Sequence, residues 1–265
     1  MKTLSSLTLL SNKLAIRTGA VALVVALGMA SQQAKATNIL GIDVYEGQGS
    51  INWSDVKGGG VDFAFAKATE GNYYEDPDFK ANMVNGKAAG VQMGAYHFAR
   101  PDIDCVSTDA NYFWAFAGGY ILKDGKSLDP MVDFEVFDGS DCQPNYTAWF
   151  NTWATDVKAK TSNFMHPVIY CSACSGACDL IEYDLSGGIT LSAWIANYNG
   201  EDLYTGNPWS SCDCCNAWTT GCSTANWTYW QVSSTGSIPG ISDDTDLDAY
   251  PLSLADLKVD QGVGE

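Results

Sequence analysis

Residues 63–98, FAFAKATEGNYYEDPDFKANMVNGKAAGVQMGAYHF, decide how this chain folds. The stretch opens and closes on short apolar runs, Phe63–Ala68 and Gln92–Phe98, which read as strands. Between them Asp78–Ala89 follows Pro77 and stops at Gly90, the Pro-start and Gly-stop arrangement of a helix. Strand, helix, strand in succession is the crossover unit of a parallel sheet with helices outside it. Working outward, Ile39–Tyr45, Met131–Phe137, Pro167–Cys171, Thr190–Tyr198, Thr228–Ser233 and Thr245–Tyr250 are further strand candidates, about eight in all. Two more helices are expected. One is Thr108–Ala117 behind a Ser107 cap; the other is Asn145–Lys160, where Trp149, Trp153 and Val157 repeat at i, i+4, i+8.

The later part of the chain breaks this rhythm. Residues 199–227 are rich in Cys, Gly and Asn and show no amphipathic period. Residues 235–244, TGSIPGISDD, are too short and too polar for a helical crossover, which takes a dozen or more residues. The final strand is therefore free to run antiparallel. The expected fold is α/β: an irregular β/α, TIM-like barrel of about eight strands with fewer helices in its C-terminal half.

Residues 131–137, MVDFEVF, place two acids inside an apolar run. Side chains at i and i+2 of a strand share a face, so Asp133 and Glu135 stand together while Val132, Phe134 and Val136 pack on the other side. Neighbouring carboxyls disfavour joint ionisation, and burial adds to the cost. A half-exposed strand with its polar face in water is the plain alternative. In barrels of this type chemistry sits at the C-terminal ends of the strands. Asp43 lies there on the first strand and Asp246 in the last, within TDLDAY, so Asp43, Asp133, Glu135 and Asp246 can meet at one mouth. Tyr96, Trp194 and Tyr198 fall on compatible phases. Aromatic rings beside carboxylates suit a sugar site, the rings stacking on pyranose C–H groups. Taken singly, each ring is more often a core residue than a sugar platform; the grouping is what points to a site. Lys67, Thr69 and Glu70 read as a local ion pair at a strand end, and His97, on the phase opposite Tyr96, as a satisfied packing residue.

The N-terminus sets the expected compartment. Lys2, Lys13 and Arg17 precede the uncharged run Gly19–Ala30 and then Ala34-Lys35-Ala36. This is a secretory signal peptide, residues 1–36, cut before Thr37, leaving 37–265 as a single catalytic domain that is secreted or periplasmic. Its loss removes four of 14 basic residues and none of 31 acidic ones, for a net charge of about −21. Such a surface repels phosphate, so no nucleic acid partner is expected, and no membrane association after cleavage. Nine cysteines in an exported chain imply disulfides with at least one left over. The spacings Cys171-x2-Cys174-x3-Cys178 and Cys212-x-Cys214-Cys215 lack a clean paired CxxC, which argues against zinc. No metal or cofactor is expected, and a monomer is.

At this point the chain resembles the Chalaropsis-type lysozymes, glycoside hydrolase family 25. The resemblance rests on GIDVYEGQGSINWSDVKGGGVDFAFAKATEGNYYEDPDF from Gly41, then GVQMGAYHF, VDFE, WIANYN and YWQVSSTGSIPGISDDTDLDAY, and runs from about Gly41 to Leu257. The Asp-x4-Gln-Gly and Lys-Ala-Thr-Glu-Gly elements of the first stretch are its most specific part. It implies a flattened β/α barrel that hydrolyses the β-1,4 bond after N-acetylmuramic acid, with peptidoglycan glycan strands as partner. It also implies Glu135 as general acid, Asp133 as its partner, Asp43 and Asp246 as the acids of the first and last strands, and Tyr96 lining the sugar pocket. Tyr45-Glu46, Ala66 and the cysteine-rich insert at 201–226 depart from the family pattern and put fine specificity in question. The competing class is a non-catalytic glycan-binding protein on the same scaffold. Retention of Asp133, Glu135 and Asp43 speaks against it. A chitin hydrolase lacks its longer acidic motif here.

Mechanistically, an ionised Asp133 is expected to hold Glu135 protonated for donation to the leaving oxygen. The 2-acetamido group of the sugar then attacks the anomeric carbon under Asp133. Direct carboxylate attack and inversion through water are the rival courses.

Overall fold

Nine strands join in one sheet whose first two strands also pair with each other, closing it into a barrel. The computed structural model describes residues 37–103, 105–136, 146–162, 164–173, 192–210 and 227–260. The expected signal peptide and most of the cysteine-rich insert lie outside the described residues. The strands are β1 (Ile39–Val44), β2 (Phe63–Glu70), β3 (Tyr74–Glu75), β4 (Gln92–Phe98), β5 (Met131–Asp133), β6 (Val168–Ser172), β7 (Ser192–Ala196), β8 (Tyr229–Gly236) and β9 (Thr245–Tyr250). The helices are α1 (Trp53–Gly58), α2 (Phe79–Ala89), α3 (Val106–Ala117), α4 (Tyr146–Lys160) and α5 (Leu254–Asp260). Eight strands form the wall, and the two-residue β3 is an antiparallel appendage on β2.

From β1 through β8 neighbouring wall strands run parallel. The last strand, β9, is antiparallel to both β8 and β1. The reason is length: the link between β8 and β9 is too short to cross back over the barrel. The irregular α/β barrel expected from the sequence is the fold observed.

Strand alternation divides the core into two layers. On β2, Phe63 and Phe65 point into the barrel, where they pack with Leu128, Met131, Val168 and Trp194. Ala64, Ala66 and Ala68 point outward under the helices, among Phe79, Met83, Phe113 and Trp153. Small residues inside make room for the rings. A Cβ at Gly41 would lie 2.2 Å from the Phe63 ring, and one at Gly94 2.3 Å from Phe65. Leu257 of α5 joins the inner cluster, a helix with no counterpart in the sequence reading.

Helix α2 matches its signals: it ends at Gly90, which takes the left-handed conformation (φ 89°) that a β-carbon disfavours. The expected start of α3 at a Ser107 cap is corrected. The helix begins at Val106 after Cys105, which is disulfide-bonded and has extended backbone. The tryptophan stripe on α4 is core, with Trp149 and Trp153 fully buried. No helix among the described residues is long and apolar enough to cross a membrane.

Candidate active site

The C-terminal rim of the parallel strands surrounds a cavity of about 310 Å³, within the range of small-molecule sites. Asp43, Asp133, Glu135 and Asp246 all line it. Topology brings them together. Asp43 is the next-to-last residue of β1, and its direct cross-strand partner is Asp246, because antiparallel β9 starts where β1 ends. Asp133 closes β5, and Glu135 follows two residues later.

Strand β5 is shorter than the sequence suggested, ending at Asp133 rather than Phe137. The alternation nevertheless carries on. Phe134 N–H donates to the Tyr170 carbonyl at 3.1 Å, and its ring is buried 5.2 Å from that of Trp149. Pinning Phe134 outward leaves Glu135 on the same side as Asp133, so the two carboxyls interact.

Their burial is unequal. Asp133 is only 8% exposed, whereas Glu135 stands exposed at the mouth. Burial first, and the Glu135 charge second, push the Asp133 carboxyl well above its ordinary range. The direction of that shift favours a neutral Asp133, where the sequence reading expects an ionised one beside Glu135. Burial and then the charge of Asp246 likewise raise Asp43, which is offset by the Gln231 amide donating to Asp43 Oδ2 at 2.8 Å. Asp246, half-buried, is raised by burial and feels Glu135 across the cavity. One cation, Lys67, lines the same space and lowers Asp133 in part.

Lys67 is aimed inward by a bulge. Opposite β4, Lys67 pairs with Tyr96 and Thr69 with His97, so Ala68 is the extra residue. In a regular strand residues 67 and 70 would face opposite ways; the inserted residue puts both on the cavity side. Lys67 Nζ meets Glu70 Oε2 at 2.9 Å, and Arg100 and Tyr73 bond Glu70 Oε1 at 3.1 and 2.6 Å. Burial pushes Glu70 up, but the Tyr73 hydroxyl, Lys67 and Arg100 hold it below its ordinary value. The Lys67–Glu70 pair is thus the ion pair that was expected, and its Lys67 member also lines the cavity. His97 is buried outside the barrel wall, with Nδ1 at 2.8 Å from Thr69 Oγ1 and Nε2 at 3.3 Å from Asp109.

The three aromatic residues singled out earlier all line the cavity, in different ways. Tyr198 is 54% exposed at the rim, and its hydroxyl donates to Gln231 Oε1 at 2.7 Å. Tyr96 is buried at the wall among the acids, and burial raises its phenol well above the usual value. Trp194 forms the floor; its ring is fully buried 4.6 Å from Phe65, and its indole N–H donates to Asp248 at 2.9 Å. An indole so enclosed has no free face for a sugar, so the stacking expectation for Trp194 is corrected to a floor contact.

Sequence reasoning passed over Tyr45, Tyr170, Gln231 and Asp248. Tyr170 donates to Gln231 Oε1 at 2.8 Å, so Gln231 gathers two tyrosine hydroxyls and hands its own N–H to Asp43. A lone glutamine in the apolar run YWQV was the available signal. Asp248 repeats the Asp-x-Asp spacing of a shared strand face and was legible by the same rule that selected Asp133 and Glu135. Among the described residues no group of three or more His, Cys, Asp or Glu is set to hold a metal ion.

These burials carry a stability consequence. Asp43, Asp133 and Asp248 ionise near 3.8 when unfolded and higher when folded. Between those values the native state keeps protons that the unfolded chain has lost, so stability falls as pH rises. The paired acids Glu70, Asp102 and Asp124 have lowered values and act oppositely, losing their contribution as pH drops below about 4. The thermal midpoint is therefore expected to rise as pH is lowered from roughly 8 to 5, then fall in stronger acid. Asp43→Asn should flatten the first limb. A wild-type midpoint that climbs toward pH 8 would contradict this account.

A closed β/α barrel whose rim holds several carboxylates of unequal burial beside exposed aromatic residues defines a glycoside hydrolase of the carboxylate type. The model of Glycosyl hydrolases family 25 matches residues 42–241. The chain is 34% identical over 236 residues to Lysozyme M1 of Streptomyces globisporus, spanning 84% of this chain and 71% of that protein. It is 30% identical over 153 residues to the N,O-diacetylmuramidase of Chalaropsis sp, spanning 52% and 70%. The crystal structure of the bacterial lysozyme from Streptomyces coelicolor superposes with a TM-score of 0.69 at 33% identity, covering 86% of this chain and 98% of that one. This chain belongs to glycosyl hydrolase family 25.

Proposed function

We propose that this protein is a lysozyme that hydrolyses the β-1,4 bond between N-acetylmuramic acid and N-acetylglucosamine in peptidoglycan, with Glu135, Asp133, Asp43 and Asp246 as its catalytic carboxyls. The observation that carries the reading is the convergence of all four on one rim cavity. The names of its relatives, a lysozyme and a diacetylmuramidase, supply the substrate class. Tyr45 and Tyr198, each about half exposed, offer rings to the glycan at the mouth, and Tyr96 lines the wall.

The reaction follows from the proton on the Asp133–Glu135 pair. In the free site burial keeps that proton on Asp133. A bound sugar covers the exposed Glu135, which disfavours its charge, and its acetamido N–H donates to Asp133, which favours charge there. Substrate therefore moves the proton to where acid catalysis needs it. Glu135 then protonates the leaving glycosidic oxygen as the acetamido carbonyl oxygen attacks the anomeric carbon and the old C–O bond breaks. Asp133 stabilises the positive charge that forms on the cyclised amide. Glu135, now ionised, takes a proton from water, whose oxygen opens the ring and regenerates the amide. The product keeps the β configuration. Asp43 and Asp246 face the developing positive charge.

The deciding experiment digests purified peptidoglycan with the protein, reduces the new ends with borohydride and identifies the reduced sugar. Muramitol is the expected product. Glucosaminitol would mean that the other bond is cut, and absence of new ends would favour a glycan-binding role.

A further inference from the structure

Asp248 lies one layer below the rim and is wholly buried, on the same face of β9 as Asp246. Its cross-strand partners are Gly41 on β1 and Gln231 on β8. Gly41 brings no side chain, and the Phe63 ring packs against its backbone there. One of its oxygens, Oδ1, accepts the Trp194 indole N–H at 2.9 Å. The other, Oδ2, is buried with no N–H or hydroxyl donor. Asp43 is within hydrogen-bond reach. The charges that act on it most, Asp43 and Asp246, are both negative.

An ionised carboxylate with one neutral donor and two anionic neighbours, wholly buried beneath the rim, is strongly disfavoured. Two carboxyl groups in contact need a proton between them, because an ionised carboxylate only accepts. We propose that Asp248 is a permanently protonated acid whose O–H donates to Asp43, a positioning residue that locks the Asp43 carboxyl toward the sugar. The arrangement is directional. Asp248 is wholly buried, whereas Asp43 borders the cavity and also contacts Asp246 there, so the proton between Asp43 and Asp248 belongs to the deeper acid. The proposal rests on the reading of Asp43 as part of the glycosidase site.

Asn has the same shape and the same polarity, with an oxygen for Trp194 and an N–H for Asp43. Leu keeps the volume and removes both bonds. Asp248→Leu is expected to lower kcat on peptidoglycan at least tenfold with little change in KM, while Asp248→Asn rescues it to within about threefold with the same pH limbs. The infrared difference spectrum of wild type minus Asp248→Asn at neutral pH should show a protonated-carboxyl band. The proposal is overturned if Asn loses as much as Leu, if Asn moves a limb of the pH profile, or if that band is missing. Should Asp248→Leu fail to fold, the Asn variant and the spectrum decide alone. If wild type releases no sugar ends, the glycosidase reading fails, and the spectrum still decides the state of Asp248.

Discussion

Glu135→Gln is expected to reduce turnover on peptidoglycan by about 10²–10⁴-fold, the range a positioned general acid contributes. Gln has the shape of the acid and no proton to give, so the leaving oxygen must depart as an alkoxide. The variant should fold normally. Glu135 is exposed, lies beyond the last residue of β5, and is pinned in place by its neighbour Phe134 rather than by its own side chain. Exposed substitutions of this kind usually change stability by no more than about 0.5 kcal/mol. The two readouts are reducing-end release under saturating substrate and a thermal midpoint. A near-normal rate with an unchanged midpoint would remove Glu135 from the acid role and leave Asp133 or Asp246 to be tested in its place.

Asp133→Asn separates activity from stability in opposite directions. The substitution removes the negative charge that offsets the cyclised amide, and kcat should fall by about 10²–10³-fold, as when one electrostatic stabiliser is lost. At neutral pH the same change removes a buried acid whose ionisation the fold resists, with Oδ1 lacking a partner, so the midpoint should rise. The product tells the course. Retention of the β-anomer in early proton spectra fits attack by the acetamido group, whereas inversion would assign Asp133 to activating water. A glycosyl adduct on the intact protein mass would point instead to a carboxylate nucleophile. If Asp133→Asn keeps its rate, Asp133 is structural and its burial has another cause.

Strand phase was legible wherever apolar residues alternated with acids, which is why Asp43, Asp133, Glu135 and Asp246 were found. The same phase named Asp248, yet a single acid per strand was taken from TDLDAY, and the buried one was passed over. Gln231 shows in the sequence only as a lone polar residue in YWQV, Trp194 only as one more aromatic ring, and Tyr170 not at all. Their roles come from contacts between β6, β7, β8 and β1, which are far apart along the chain.

What the sequence by itself determined is the set of elements and the face each acid takes, because the two-residue period of a strand and the Pro and Gly stops of a helix are local properties. It also left β9 free to turn back, since the short polar link cannot carry a helical crossover, and the structure shows that it does. Only the tertiary structure decided which acids are buried and which are exposed. It alone showed the bulge at Ala68 that brings Lys67 and Glu70 to one side. Burial and charge coupling arise between strands that meet only when the barrel closes, and no window of neighbouring residues contains that information.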